Sequence, residues 1–305
     1  MNSFALLFPG QGAQSVGMGK DLAQQFPPAK ALFEKADALL GIPLSRICFE
    51  GPQSELTRTE ICQPALYVTS LAALAALQSA IRPAAAAGLS LGEYTALAAA
   101  GAFSFEEGLK LVRLRGQAME EASRKARGTM ASVLGLELEA LEPVCAEAGA
   151  QVANINSPGQ IVISGPPEAV ERASLRAKER GAKRVIPLEV GGAFHSRLME
   201  PASVRLKQAL ETIPVRDPQY PVVSNVTGSY HQGAAQIKDA LATQLTHPVR
   251  WEQCMRTLLE SGIRTFLEVG PGSVLKGLLR KIDPQAQVWS VGTAQEVRAA
   301  GSTWA

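Results

Sequence analysis

Residues 84–94 read AAAAGLSLGEY and set one serine, Ser90, between two glycines directly after a run of alanines. In a G-x-S-x-G arrangement the glycines answer a steric demand. Where a strand turns sharply into a helix with a serine at the apex, neighbouring backbone passes so close that side chains two residues to either side would clash. Gly88 and Gly92 hold those two positions. Such a turn exposes the hydroxyl and aims the first amide groups of the following helix at whatever the hydroxyl attacks, as a nucleophile requires. Alanine itself favours helix, so the strand expected over 84–88 rests on the elbow pattern alone. Five-residue matches with three fixed positions also arise by chance in loops rich in glycine and serine, so the rest of the chain must decide.

The surrounding sequence alternates strand and helix. FALLF at 4–8 reads as a buried strand, followed by a glycine-rich loop over 9–19. That loop is not a nucleotide fingerprint: GQGAQS has Ser15 where a third glycine belongs, and no G-K-[ST] follows. Helices are expected over 28–40, 64–80, 91–101 and 105–122. Between 128 and 190 the order is strand TMASVLGL, helix, strand QVANIN, a glycine turn, strand IVISG, helix, strand RVIPLEV. That is β-α-β-β-α-β, the ferredoxin-like pattern. The expectation is an α/β protein with a mostly parallel sheet in a large α/β-hydrolase-like subdomain, 1–125 and 194–305, interrupted by a small ferredoxin-like subdomain, 126–193. After it come a helix from about 197, a strand PVVSN, helices around 234–261, a strand TFLEVG and a helix from Ser273.

Composition permits an enzyme and narrows its partners. With 305 residues, 46% of them hydrophobic, the chain can bury a large core. Thirty basic residues against 28 acidic give +2 with no long like-charge run, so neither nucleic acid nor an anionic membrane is expected as a partner. Cys48, Cys62, Cys145 and Cys254 lie far apart, which argues against a metal site and suits the reducing cytoplasm. No cleaved signal is visible at the start, and the apolar run 65–80 is broken by Thr69, Ser70 and Gln78, so it reads as a buried helix.

A nucleophilic serine needs a base, and the chain has three histidines. His231, in GSYHQGAA, reads as a solvated surface residue. His247 precedes a proline and reads as an extended or turn residue. His195 follows GGAF at the seam between the two expected subdomains, where clefts form. From the residues alone, a structural histidine and a base fit it equally.

Taken together, FPGQGAQ at 8–14, QPA at 63–65, GLSLGEYTAL at 88–97, RLRGQAM at 113–119, NINSPGQIVISG at 154–165, GAFHS at 192–196, SNVTG at 224–228, HPVRW at 247–251 and EVGPGSVL at 268–275 resemble the malonyl-CoA:acyl-carrier-protein transacylases. The resemblance runs in order from about residue 4 to 285. It implies Ser90 as nucleophile, His195 as base, and the backbone N–H groups of Gln11 and Leu91 as the oxyanion hole. It implies that Arg115 grips the malonyl carboxylate, with Gln63 nearby, a task suited to a planar two-pronged donor. Asn154, Asn156 and Gln160 would line the channel for the pantetheine arm, and Phe194 would favour malonyl over bulkier acyl groups. The partners implied are malonyl-CoA and acyl carrier protein; no cofactor and no metal are implied.

The sequence departs from common family members at two positions. Leu89 stands where many have histidine; a residue inside the elbow is expected to face the core, so the change should affect packing. Arg250 stands where some have glutamine, and the resemblance implies that its backbone carbonyl orients the His195 ring. A carbonyl can fix the tautomer but adds no negative charge to favour imidazolium. Competing readings are a polyketide acyltransferase using another acyl-CoA, a serine thioesterase or hydrolase, and a non-catalytic carrier-binding scaffold. The usual hydrolase order puts histidine near the C-terminus, whereas about 110 residues follow His195.

Overall fold

The computed structural model describes residues 3–77 and 82–304. The strands are β1 (Phe4–Phe8), β2 (Ala85–Gly88), β3 (Thr129–Leu134), β4 (Gln151–Ser157), β5 (Gln160–Gly165), β6 (Arg184–Pro187), β7 (Thr265–Val269) and β8 (Gln287–Val291). They form two sheets. One is parallel with order β2-β1-β7-β8, and the other is antiparallel with order β4-β5-β3-β6. The second sheet, with helices Leu138–Ala148 and Pro167–Glu179, is the expected β-α-β-β-α-β unit.

The alanine run does form a strand. Every residue of β2 is buried, and small side chains suit a strand covered on both faces. Tertiary packing overrides the helix preference of alanine here. The backbone of Ala86 also pairs with Pro221 and Val223, at 2.9 and 3.0 Å. The strand expected at PVVSN is thus reduced to an isolated bridge, Ala86 to Val222, against the edge of β2. Strand β8, with the helix Ala294–Trp304 after it, was not expected from the sequence.

Helix Thr59–Ala76 is buried along nearly its whole length, which explains an apolar run that mimics a membrane segment. No helix among the described residues is long and apolar enough to cross a membrane. The helix expected over 64–80 begins earlier, and residues 78–80 lie outside the described residues. Pro64 sits inside it and cannot donate to the carbonyl of Glu60. Arg113 Nη1 takes that orphaned oxygen, so the helix continues without an unpaired acceptor.

Because the large sheet is parallel, its loops after β1, β2 and β7 emerge at one edge, where open α/β sheets place their ligands. The small sheet is fastened beside that edge. Val249 adds to β4 through Ile155 N to Val249 O, 2.9 Å, and Val249 N to Ala153 O, 2.8 Å. Helix Val274–Ile282 is held there by Glu268 of β7, whose carboxylate accepts from Leu275 N and Lys276 N at 2.9 and 2.8 Å. Burial raises the pKa of Glu268, and the two helix-terminal N–H groups oppose that shift.

Candidate active site

Ser90 occupies a strained backbone conformation, φ 53° and ψ −102°, between β2 and helix Leu91–Ala99. The two glycines answer the steric demand inferred for them. A Cβ on Gly88 would lie 1.9 Å from the carbonyl carbon and oxygen of Gly92, and one on Gly92 would lie 2.1 Å from Phe8 O. Asn225 braces the elbow from below: its Oδ1 accepts from Ser90 N at 2.7 Å and its Nδ2 donates to Gly88 O at 2.8 Å. SNVTG carried Asn225 in the sequence, but no local pattern tied it to a serine 135 positions away.

Ser90 Oγ and His195 Nε2 are 2.8 Å apart, and His195 Nδ1 lies 2.8 Å from the carbonyl of Gln244. A carbonyl only accepts, so Nδ1 carries the hydrogen and Nε2 is free to accept from the serine hydroxyl. The orienting carbonyl is therefore that of Gln244 and not of Arg250. Arg250 stands immediately before helix Trp251–Glu260, and its carbonyl accepts from Cys254 N at 2.9 Å to close the first turn. Gln244 instead opens a short 3₁₀ turn, Gln244–Thr246, after helix Ala234–Thr243. Burial, and secondarily the Arg115 guanidinium, pulls the His195 pKa down to about 4. The resting imidazole is neutral.

Arg115 is 1% exposed. Its Nη2 donates to Ser90 Oγ at 3.0 Å and to Gln244 Oε1 at 2.9 Å, its guanidinium lies 5.1 Å over the Tyr94 ring, and its Nε has no partner. Burial lowers its pKa. Although its helix, Phe105–Lys125, is amphipathic, Arg115 lies on the buried face.

A cavity of about 210 Å³ opens over Ser90. Gln11, Ser90, Leu91, Arg115, Phe194 and His195 line it from the parallel-sheet side, and Asn154, Asn156 and Gln160 from the small sheet. Leu91 is the first residue of its helix, so its N–H has no acceptor within the helix. Gln63 is buried with its Nε2 3.1 Å from Met119 Sδ; Met119, not Gln63, reaches the wall. Leu89 also lines the cavity, so it faces the site and not only the core. Lys281 Nζ donates to Gln160 Oε1 at 2.6 Å, joining helix Val274–Ile282 to the small sheet.

The other two histidines part company. His247 is exposed, its Nδ1 2.9 Å from Thr243 O. His231 is not a solvated loop residue: its side chain is wholly buried, with Nε2 2.8 Å from Glu93 Oε1. No local pattern signals this pairing, because 138 positions separate the two. Among the described residues no cluster of three or more His, Cys, Asp or Glu could hold a metal ion.

The arrangement is a serine hydroxyl, a neutral imidazole and a buried guanidinium around one small cavity. The malonyl CoA-acyl carrier protein transacylase of Bacillus subtilis (strain 168) is 48% identical over 309 aligned residues, covering 99% of this chain and 98% of that protein. The structure of the malonyl CoA-acyl carrier protein transacylase of Coxiella burnetii superposes with a TM-score of 0.96 at 39% identity, covering 99% of this chain and 98% of that one. A malonyl-transacylase in complex with its type II PKS acyl-carrier protein gives a TM-score of 0.96 at 40% identity, covering 99% and 100%. The family described as the acyl transferase domain matches residues 5–297, and the chain belongs to that family.

Proposed function

We propose that this chain transfers a malonyl group from malonyl-CoA to the phosphopantetheine thiol of an acyl carrier protein, for fatty acid synthesis, through an ester on Ser90. The observation that carries this reading is the position of Ser90 Oγ, 2.8 Å from His195 Nε2 and 3.0 Å from Arg115 Nη2. A base and a carboxylate-binding group converge on the same oxygen. Its relatives in B. subtilis and C. burnetii carry the name of this activity.

In the first half-reaction His195 Nε2 takes the Ser90 proton as Oγ attacks the thioester carbonyl. The N–H groups of Gln11 and Leu91 meet the oxyanion. Collapse breaks the C–S bond, and the imidazolium returns the proton to the departing coenzyme A sulfur. In the second half-reaction His195 takes the carrier thiol's proton, the thiolate attacks the malonyl ester, and collapse restores the serine hydroxyl. Arg115 pairs with the malonyl carboxylate throughout. That carboxylate also neutralises one of the two causes that depress the His195 pKa, so the imidazolium forms more readily with malonyl bound than with an uncharged acyl group.

Residues 1–125 and 194–305 act as the catalytic unit, and 126–193 as the unit bringing Asn154, Asn156 and Gln160 to the pantetheine arm. Phe194 narrows the acyl pocket, Gln63 supports Met119 behind it, and no cofactor or metal takes part. The reaction belongs to the cytoplasm. Intact-mass measurement tests the proposal: wild type gains one malonyl group from malonyl-CoA and passes it to carrier protein, and Ser90→Ala gains none. A malonyl mass on the Ser90→Ala variant, or steady release of free malonate instead of transfer, overturns it.

A further inference from the structure

Glu93 lies one helical turn beyond the nucleophile, and no part of it is exposed to solvent. Its Oε1 is 2.8 Å from His231 Nε2; its Oε2 accepts from Gln244 Nε2 at 2.6 Å and from Asn225 N at 3.1 Å. Gln244 Nε2 and Asn225 N are donors only, so Oε2 carries no proton. His231 Nδ1 is buried and has no partner. A bare ring nitrogen is tolerable there, whereas an N–H would be an orphaned donor on a buried cation. The pair is therefore a carboxylate held by a neutral imidazole, and His231 does not cancel its charge.

The cation that does so is one residue away. The Gln244 carboxamide gives its N–H to Glu93 and accepts from Arg115 Nη2 with its Oε1, at 2.9 Å. The main-chain carbonyl of the same Gln244 accepts from His195 Nδ1. A buried carboxylate is costly to retain, and its hydrogen bonds alone could be met by a neutral amide. The reaction, however, passes through an imidazolium at His195, in a site where burial and Arg115 both oppose a second positive charge. A backbone carbonyl orients that ring without offsetting the charge.

We propose, building on the function assigned above, that Glu93 is a positioning residue that completes the catalytic relay. Clamped by His231, its carboxylate acts through Gln244 on His195, and supplies the negative charge that a serine–histidine pair oriented by a main-chain carbonyl lacks. The order of contacts is Ser90, His195, Gln244, Glu93, His231. A member of the relay thus follows the nucleophile by three residues, on the same elbow.

Glu93→Gln tests the charge with little change of shape. The new amide oxygen can accept from Gln244 and Asn225, and its NH₂ can donate to His231 once that ring moves its proton to Nδ1. The neutral ring then leaves one N–H unpaired, a cost that Glu93→Asp does not carry and that should appear in stability. Acylation from malonyl-CoA and from acetyl-CoA is measured per acylatable Ser90, so that misfolded molecules are not counted. The expected result is a fall in kcat on the order of tenfold for both substrates, the worth of one charge acting across an intervening group in a protein interior. The KM for malonyl-CoA should not rise, since the carboxylate repels the substrate's own. In a His195→Ala background the same substitution should have no further effect, because the group it acts on is gone. Glu93→Asp, which keeps the charge on a shorter stem, should retain more kcat than Glu93→Gln. An undiminished kcat in Glu93→Gln, a loss that persists without His195, or the reverse order of the two variants would each overturn the relay. Failure of wild type to acquire a malonyl group would instead sink the functional reading on which the relay rests.

Discussion

The guanidinium of Arg115 donates a hydrogen bond to the hydroxyl oxygen of Ser90, at 3.0 Å, from a position sealed from solvent. An acyl group on that oxygen therefore begins within reach of a fixed cation. A malonyl ester has a carboxylate to offer it, and an acetyl ester leaves the charge unanswered.

Arg115→Ala should accordingly separate the two substrates. Losing one partner of a desolvated charge pair typically costs about 2–5 kcal/mol. That is roughly 30-fold to several thousand-fold in kcat/KM for malonyl-CoA. Acetyl-CoA transfer should hold or rise, because the change also removes a cation that depresses the His195 pKa. Lysine should recover only part of the loss, as a point charge cannot form the two-pronged pairing. An equal fall for both substrates would make Arg115 structural.

His195 should make the fold acid-sensitive. Its pKa lies at about 4 in the folded chain against 6.5 for an ordinary histidine, so between these pH values the unfolded chain binds a proton that the folded one refuses. Stability from this group is therefore full above about pH 6.5 and is lost as pH falls toward 4. From pH 7 to 4.5 wild type should lose about 2–3 kcal/mol more than His195→Ala, read from urea unfolding at the two pH values. Parallel losses in both proteins would contradict the buried neutral ring.

Gly88→Ala should cripple the elbow. Its Cβ would meet backbone of Gly92 at 1.9 Å, and backbone cannot swing aside as a side chain can. The cost should reach or exceed the top of the usual overpacking range, about 1–3 kcal/mol, with loss of acylation. Gly277→Ala is the control: it lies within helix Val274–Ile282 with nothing within 4 Å of a new Cβ. It should stabilise by about 0.5–1 kcal/mol. Equal thermal shifts for the two variants would refute the close approach.

Carrier proteins of this pathway are generally acidic, and a nearly neutral chain must meet them through a local basic patch. Lys276 and Arg280 share a face of helix Val274–Ile282, whose Val274 and Leu278 line the cavity. Reversing both charges should raise KM for carrier protein and weaken its salt dependence, while acylation from malonyl-CoA is unchanged. A KM equal to wild type at every salt concentration would leave this face a solvated surface.

The amino-acid sequence alone encodes the elbow, because two glycines and a serine at fixed spacing set a local steric requirement that any fold must honour. It also determined the alternation of elements, since the 128–190 segment carries its periodicity and turn residues within itself. Contacts between distant segments are settled by packing. The carbonyl that orients His195 comes from Gln244 and not from Arg250, because helix Trp251–Glu260 takes the Arg250 carbonyl into its own first turn. His231 reads as solvated in GSYHQGAA and is buried against Glu93, because burial depends on what packs over a loop and not on the loop's own residues. PVVSN offers strand residues but pairs only at isolated bridges, while β8 completes the parallel sheet with a weaker pattern. Local chemistry is written in neighbouring residues; the choice among equivalent carbonyls, edges and histidines is made when separated segments compete for the same space.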